Sequence, residues 1–400
     1  MTNLPDQRKK YIQDKTPEFW RSTLALSVGG FAVFSNFHLT QPLLPLFSKE
    51  FGVSPVTASL SVSLVTLTLS VFLLVFGPVS DAVGRKNVMA FGLLVPSLIS
   101  IGAFFVPDFG LLLVLRTLQG LALAALPAIS YAYIGEEFDG KAVGVAIGLY
   151  ISANSVGGMA GRIISGFAAD IWGWRYSFLI MGFIGLACLV SFLLLLPKSR
   201  HFVPHKLSLR GAGREMKQHI KNSILRDAYY IAAILFFVFI GLFNYLSYHL
   251  HAAPYFLSTA LIGLLYLSYS AGTFSSTLSG KLEYLFTIPQ RILIGLGIMV
   301  VGILLMTTTP LLTILIGLVV LCFGFFFAHA ASSSWVSRYA KDAKGSASAL
   351  YLFAYYMGGS IGSTLLGYIW DPWGWKAVAY VCIGFVLLGM LLALRMKKTA

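Results

Sequence analysis

The sequence predicts an all-α membrane protein, with twelve transmembrane helices in two pseudo-symmetric six-helix bundles. Three observations carry this. Charged residues make up 11% of the 400 positions, against roughly 25% in a soluble domain, and mean hydropathy is +0.81, so the chain could not cover its own surface in water. Twelve apolar stretches are each long enough to cross a bilayer, which takes about 20 residues. A rare phrase also occurs twice: DIWGWR from Asp170 to Arg175 returns as DPWGWK from Asp371 to Lys376, 201 positions on. The same register pairs Gly144, Tyr150, Gly157, Gly161 and Gly166 with Gly345, Tyr351, Gly358, Gly362 and Gly367. Thirteen of the thirty-one positions from 144 to 174 are identical, which points to a duplicated half.

The stretches run over 22–46, 57–79, 87–106, 110–134, 143–168, 175–196, 228–252, 261–283, 291–308, 311–337, 345–369 and 376–396. Most are apolar on every face, which suits helices in lipid rather than barrel strands with a period of two. Six spans make an N-terminal bundle over 21–196, and six make a C-terminal bundle over 227–396. The polar segments 1–20 and 397–400 read as tails, and 1–20 lacks the features of a signal peptide. The linker 197–226 carries Leu209, Met216, Ile220 and Ile224 among Arg210, Arg214, Lys217 and Lys221. That pattern fits a basic amphipathic helix on the inner leaflet or a solvated connection with some helix.

A net charge of +14 would suit a nucleic-acid partner if it were one patch. With the N-terminus inside, Lys49, Arg175 and Lys376 are the basic residues left outside, and the rest outside the spans are cytoplasmic. That is the positive-inside asymmetry, so the charge reports topology and implies no nucleic acid. It places both termini in the cytoplasm and the chain in the cell inner (cytoplasmic) membrane. Each copy of the tryptophan phrase is then an outer hairpin at interfacial depth. Cys188, Cys322 and Cys382 are single and distant, with no metal-ligand spacing, so neither metal nor cofactor is expected.

Between spans 2 and 3, glycines at Gly77 and Gly84 let a short turn close, while Asp81 beside Arg85 and Lys86 can hold a charge network where the halves meet. This loop resembles the signature loop of the major facilitator superfamily, Gly-x-Leu-Ala-Asp-basic-x-Gly-basic-basic, with Ala82 replacing the first basic residue. Span 4 carries Arg116, Thr117, Leu118, Gln119 and Gly120, similar to a second superfamily motif whose arginine is associated with proton coupling. An arginine at the bilayer centre costs roughly 2.5–3.5 kcal/mol on insertion scales, so it should face a cavity or a partner, although Arg116 could also snorkel outward. Span 5 carries Gly148, Gly157, Gly161 and Gly166, a close-packing face that resembles the antiporter motif of drug exporters, with Arg162 in place of its proline and Ser165 in place of a glycine.

The resemblance covers about Trp20 to Met396. It implies a secondary transporter that rocks two bundles about a midplane site, similar to the bacterial twelve-helix drug or sugar efflux group with proton antiport. In that arrangement spans 1, 4, 7 and 10 line a central cavity. They place Asn36, His38 and Gln41, then Arg116 and Gln119, then Asn244, Tyr248, His249 and His251, then His329, Ser332 and Trp335 around it. Tyr355 on span 11 adds an aromatic wall or only packs. Among the histidines His38, His249, His251 and His329, one is expected to titrate during the cycle as a proton-coupling group, although each taken singly reads more readily as a hydrogen-bonded spacer.

No acidic residue falls in the middle of a span. With Arg116 and Arg162 positive, the cavity is expected to favour a small neutral or anionic amphipathic substrate exchanged for protons. If both arginines pair with backbone carbonyls instead, charge preference stays open. Uptake or lipid flipping by the same fold are the alternatives, and a monomer is expected. An enzyme is not: Gly358, Ser360 and Gly362 match a nucleophile-elbow spacing but lie inside a span, without the strand and strained turn that chemistry needs.

Overall fold

Prolines and glycines set the breaks between helices. The computed structural model describes residues 11–204, 209–340 and 344–399. Its first half comprises α1 (Pro17–His38), a 3₁₀ turn (Gln41–Leu43), α2 (Leu44–Phe51), α3 (Pro55–Val83), α4 (Arg85–Ala103), α5 (Phe109–Leu123), α6 (Ala125–Glu137), α7 (Gly140–Trp172) and α8 (Trp174–Leu195). After α9 (Leu209–Lys221), the second half comprises α10 (Ser223–His251), α11 (Thr259–Leu264), a 3₁₀ turn (Leu265–Ser268), α12 (Tyr269–Lys281), α13 (Ile288–Met306), α14 (Leu311–Tyr339) and α15 (Lys344–Thr399).

Nine stretches of described helix are long and apolar enough to cross a bilayer. Twelve crossings follow because three of them are disguised. α15 holds two, folded back at Gly374, where φ is 68°. α1 is diluted by polar residues, and α11 with α12 makes one crossing interrupted by its 3₁₀ turn. α5 and α6 together make the fourth crossing.

The first crossing departs from the expected 22–46. An α-helix continuing past His38 would need an N–H at position 42, and Pro42 has none. The helix therefore stops, leaving the carbonyls of its last turn without intrahelical donors.

The duplicated register is visible in the packing. A Cβ on Gly157 or Gly161 would come within 2.4 and 2.3 Å of the Phe31 and Ser35 carbonyl oxygens, so α7 lies backbone to backbone on α1. On Gly358 or Gly362 it would meet the carbonyl oxygens of Ala233 and Phe237 at 2.1 and 2.3 Å, the same seat for α15 on α10. The two tryptophan hairpins turn at Gly173, φ 96°, and Gly374, a backbone region open mainly to glycine.

The tail and linker differ from their sequence reading. Arg8, Lys9 and Lys10 lie outside the described residues. Ile12 is docked, its N–H donating to the Glu137 carbonyl and its carbonyl accepting from Asp139, both at 2.9 Å. In the linker, Ile224 belongs to the first turn of α10 rather than to α9, and Asn222 caps the break between them. The side chains of Leu209, Arg210 and Arg214 lie outside the described residues.

Candidate functional site

The two halves meet along a seam bonded on one side only. Near the tryptophan hairpins, the Asp170 carboxylate at the end of α7 accepts from the N–H groups of Thr259 and Ala260, each at 3.0 Å. Tyr248 donates to the Leu44 carbonyl at 2.9 Å and lies 2.7 Å from the Ser48 hydroxyl. Ser63 pairs with Thr364 at 2.6 Å, and Ser360 donates to the Ser63 carbonyl at 2.8 Å. On the linker side no side-chain hydrogen bond joins the spans of the two halves among the described residues. There a cavity of about 760 Å³ opens between α7 and α12, walled by Ser152, Val156, Met159, Tyr269 and Phe274, with Lys281 at its mouth.

Both mid-span arginines are fully buried, and their surroundings differ. Arg116 donates to the carbonyls of Asn36 (3.1 Å) and Phe37 (2.9 Å), the groups orphaned where α1 stops before Pro42. It also reaches the Ser61 carbonyl at 3.1 Å and the Gln119 side chain. A cation on the carbonyl end of a helix is compensated by the helix dipole. Gln119 and Asn36 continue inward to Ser100, each at 2.7 Å. Arg116, Gln119 and Asn36 thus tie α1, α3, α4 and α5 together, and none of them lines the cavity.

Arg162 stands at the seam itself. Its Nε donates to Gln41 Oε1 at 2.6 Å, Nη1 to the Gly158 carbonyl at 2.8 Å, and Nη2 to His38 Nδ1 at 2.7 Å. Arginine only donates, so His38 accepts through Nδ1 and carries its proton on Nε2. Gln41 passes the contact across the seam, its Nε2 donating to Asn244 Oδ1 at 2.8 Å, and Asn244 donates to the Ser363 hydroxyl at 2.7 Å. Ser363 occupies the position of Arg162 in the second repeat, so the relay joins equivalent points of the two halves. The guanidinium also lies 4.2 Å from the Tyr266 ring centroid and 4.9 Å from that of Tyr269, residues of the opposite half.

From Arg162 a circuit of touching rings closes through both halves. It passes His38 and Phe37 to Tyr356, then Phe236, Tyr355, Phe325 and Phe239, and returns through Tyr269. One cation sits in an aromatic girdle, and no acidic side chain lies within 4.0 Å of it among the described residues.

The family model of the Major Facilitator Superfamily matches residues 26–363. The chain belongs to the Major Facilitator Superfamily. It is 38% identical to the uncharacterized MFS-type transporter YybF of Bacillus subtilis (strain 168), over 96% of this chain and 94% of that protein. It is also 38% identical to the inner membrane transport protein YnfM of Escherichia coli (strain K12), over 98% and 94%. In fold it matches a bacterial homologue of the human lysosomal transporter Spinster in an inward-facing and occupied conformation, with a TM-score of 0.74 at 15% identity, covering 94% of this chain and 96% of that one. The protein is therefore a multi-pass membrane transporter.

Within this superfamily fold, the remaining sequence candidates scatter. His249 stacks on Trp375, centroids 5.3 Å apart, and His251 meets the Leu257 carbonyl at 3.1 Å; both lie at the hairpin end, away from Arg162. His329 packs on two rings of the girdle, Phe325 and Tyr355, and lies 3.1 Å from the Tyr351 hydroxyl. Trp335 donates to the Ile224 carbonyl at 2.8 Å, and Ser332 lies 3.5 Å from that of Ala228; both pin α14 to α10. In the signature loop Arg85 is buried between Asp81 and Glu136, 2.6 Å from Glu136 Oε1, and Lys86 donates to the Leu193 (2.9 Å) and Leu196 carbonyls. Every one of these partners belongs to the first half, so in this conformation the network does not cross the seam.

Gly84 holds φ 108° as the turn requires, and Gly77 has open space around it. Gly148 likewise meets nothing within 4 Å, whereas Gly166 packs across the seam on Thr259. Sequence reading missed Asp170, Tyr266, Tyr269, Glu136 and Ser363. Only Ser363 had a signal, its place 201 residues after Arg162.

Proposed function

We propose that this chain moves a small neutral or anionic amphipathic molecule across the cytoplasmic membrane by alternating access, working as an exporter in exchange for protons, with both termini and the linker in the cytoplasm. The observation that carries the reading is the one-sided seam: bonds across the hairpin face, and a cavity of about 760 Å³ toward the linker face. Rocking the halves would exchange the open and closed faces around Arg162. A monomer suffices, since the seam lies within one chain.

The test is a reversible lock. In Ser63→Cys with Thr364→Cys, the original oxygens are 2.6 Å apart, so oxidation is expected to join them and stop movement of a fluorescent amphipathic dye in everted vesicles, with reductant restoring it. Full transport by the cross-linked pair would end the alternating-access reading.

One observation favours a second direction. A proton on His38 removes an acceptor from Arg162 and adds a like charge 2.7 Å away, which an arriving anion would offset, so proton and anion would load together. That is the thermodynamic sign of uptake by symport. Exchange predicts dye accumulation in everted vesicles acidified inside; symport predicts accumulation in right-side-out vesicles acidified outside.

A further inference from the structure

Two arginines are buried at mid-span, and only one is spoken for. Arg116 has three backbone carbonyls and an amide oxygen, two of those carbonyls from the end of a helix that proline stopped early. Arg162 has three neutral acceptors for five N–H groups. It lies ten residues before the end of α7 at Trp172, about 15 Å deep along that helix, and has no carboxylate beside it. A buried, unpaired guanidinium is costly in a low-dielectric setting unless something arrives to neutralise it.

A second observation points to the same place. Tyr266 and Tyr269, whose rings lie against this guanidinium, are both buried, and the Tyr269 hydroxyl has no hydrogen-bond partner among the described residues. Buried hydroxyls left unpaired are uncommon in native proteins and call for an occupant. Tyr269 also forms part of the cavity wall, while Arg162 and Tyr266 lie fully buried behind it, so the ring of Tyr269 is what separates the guanidinium from the open face. Beyond it the wall turns apolar at Met159, Val156 and Phe274, and Lys281 stands at the entrance.

We propose that Arg162, Tyr266 and Tyr269 form the headgroup site for an organic carboxylate whose apolar body lies along the α7–α12 wall. This deepens the transport reading and rests on it. A carboxylate matches the planar fork of arginine, its oxygens accept from both the guanidinium and the tyrosine hydroxyls, and the apolar wall holds the remainder. A cationic analogue meets an unscreened like charge, and a neutral one leaves that charge unpaired.

The experiment measures equilibrium binding to the purified full-length protein in nanodiscs, using matched probes: 1-naphthoate, 1-naphthamide and 1-naphthylmethylamine, with octanoate, octanamide and octylamine as a second series. Each carboxylate is expected to bind about tenfold or more tighter than its amide, with the amine weakest. Tyr269→Phe keeps the ring over the guanidinium and removes only the hydroxyl. It should weaken carboxylate binding about threefold or more and amide binding by less, because a hydrogen bond to a charged acceptor is the stronger one. Arg162→Gln should abolish the preference; if that variant does not fold, Tyr269→Phe decides.

Equal binding of carboxylate and amide by the native protein overturns the proposal, as does tighter amine binding, an unchanged ratio in Tyr269→Phe, or no binding of either carboxylate. In each of those cases the Ser63–Thr364 lock still reports separately on transport. A functioning lock with no carboxylate preference removes the anion site and keeps the transporter; a lock without effect removes the transport cycle itself.

Discussion

Arg116→Met is expected to lose about 3–5 kcal/mol of stability, since three buried carbonyls lose their donor at about 1–3 kcal/mol each and some recover partners. Thermal unfolding in detergent, read by tryptophan fluorescence, should show a large drop or no recoverable monodisperse protein. Arg116→Lys should rescue little, because an ammonium cannot span the carbonyls of Asn36, Phe37 and Ser61 as a planar fork does. The mechanism is specific: Pro42 ends α1, the end leaves acceptors, and Arg116 covers them. A fully stable Arg116→Met variant with altered substrate charge preference would refute it and restore Arg116 to the cavity.

Gly161→Ala and Gly362→Ala should each disrupt a helix pair, in different halves but by the same collision. A new Cβ would lie 2.3 Å from the carbonyl oxygen of Ser35 in one case and of Phe237 in the other. The obstacle is backbone, so the helices must part, at a cost of about 1–3 kcal/mol or more. Both variants should unfold at lower temperature and transport poorly. Gly148→Ala is the control: it has open space, and alanine is about 1 kcal/mol better than glycine within a helix. Equal behaviour of Gly148→Ala and Gly161→Ala would mean that close approach of α7 to α1 is not what the glycine provides.

These two cases show what sequence can and cannot convey. The repeat of 201 residues carries the fold, because glycines that seat one helix on another must recur wherever that seat recurs, and Gly157, Gly161, Gly358 and Gly362 do. Buried charge is also legible, since any arginine in an apolar run stands out. The role of each arginine is not, because Arg116 and Arg162 look alike in a string of letters and differ by what another helix brings to them.

Tyr266 and Tyr269 escaped notice for a related reason. They lie where the eighth crossing tightens into a 3₁₀ turn over Leu265–Ser268, and the tighter turn changes which residues share a face. Asp170 read as the end of a hairpin. Its partners, the N–H groups of Thr259 and Ala260, are backbone and leave no mark in the side-chain sequence.

The unpaired guanidinium of Arg162 has an electrical consequence. A voltage does work only on charge that moves through it, about 2.3 kcal/mol for one charge falling through 100 mV. With the linker face inside the cell, an empty carrier holding a bare cation is drawn by a negative interior toward that face, while a carrier holding a monoanion feels no such pull. The resting potential would then bias the vacant protein and leave the loaded one indifferent, and the return step rather than the loaded step should quicken when vesicles are polarised.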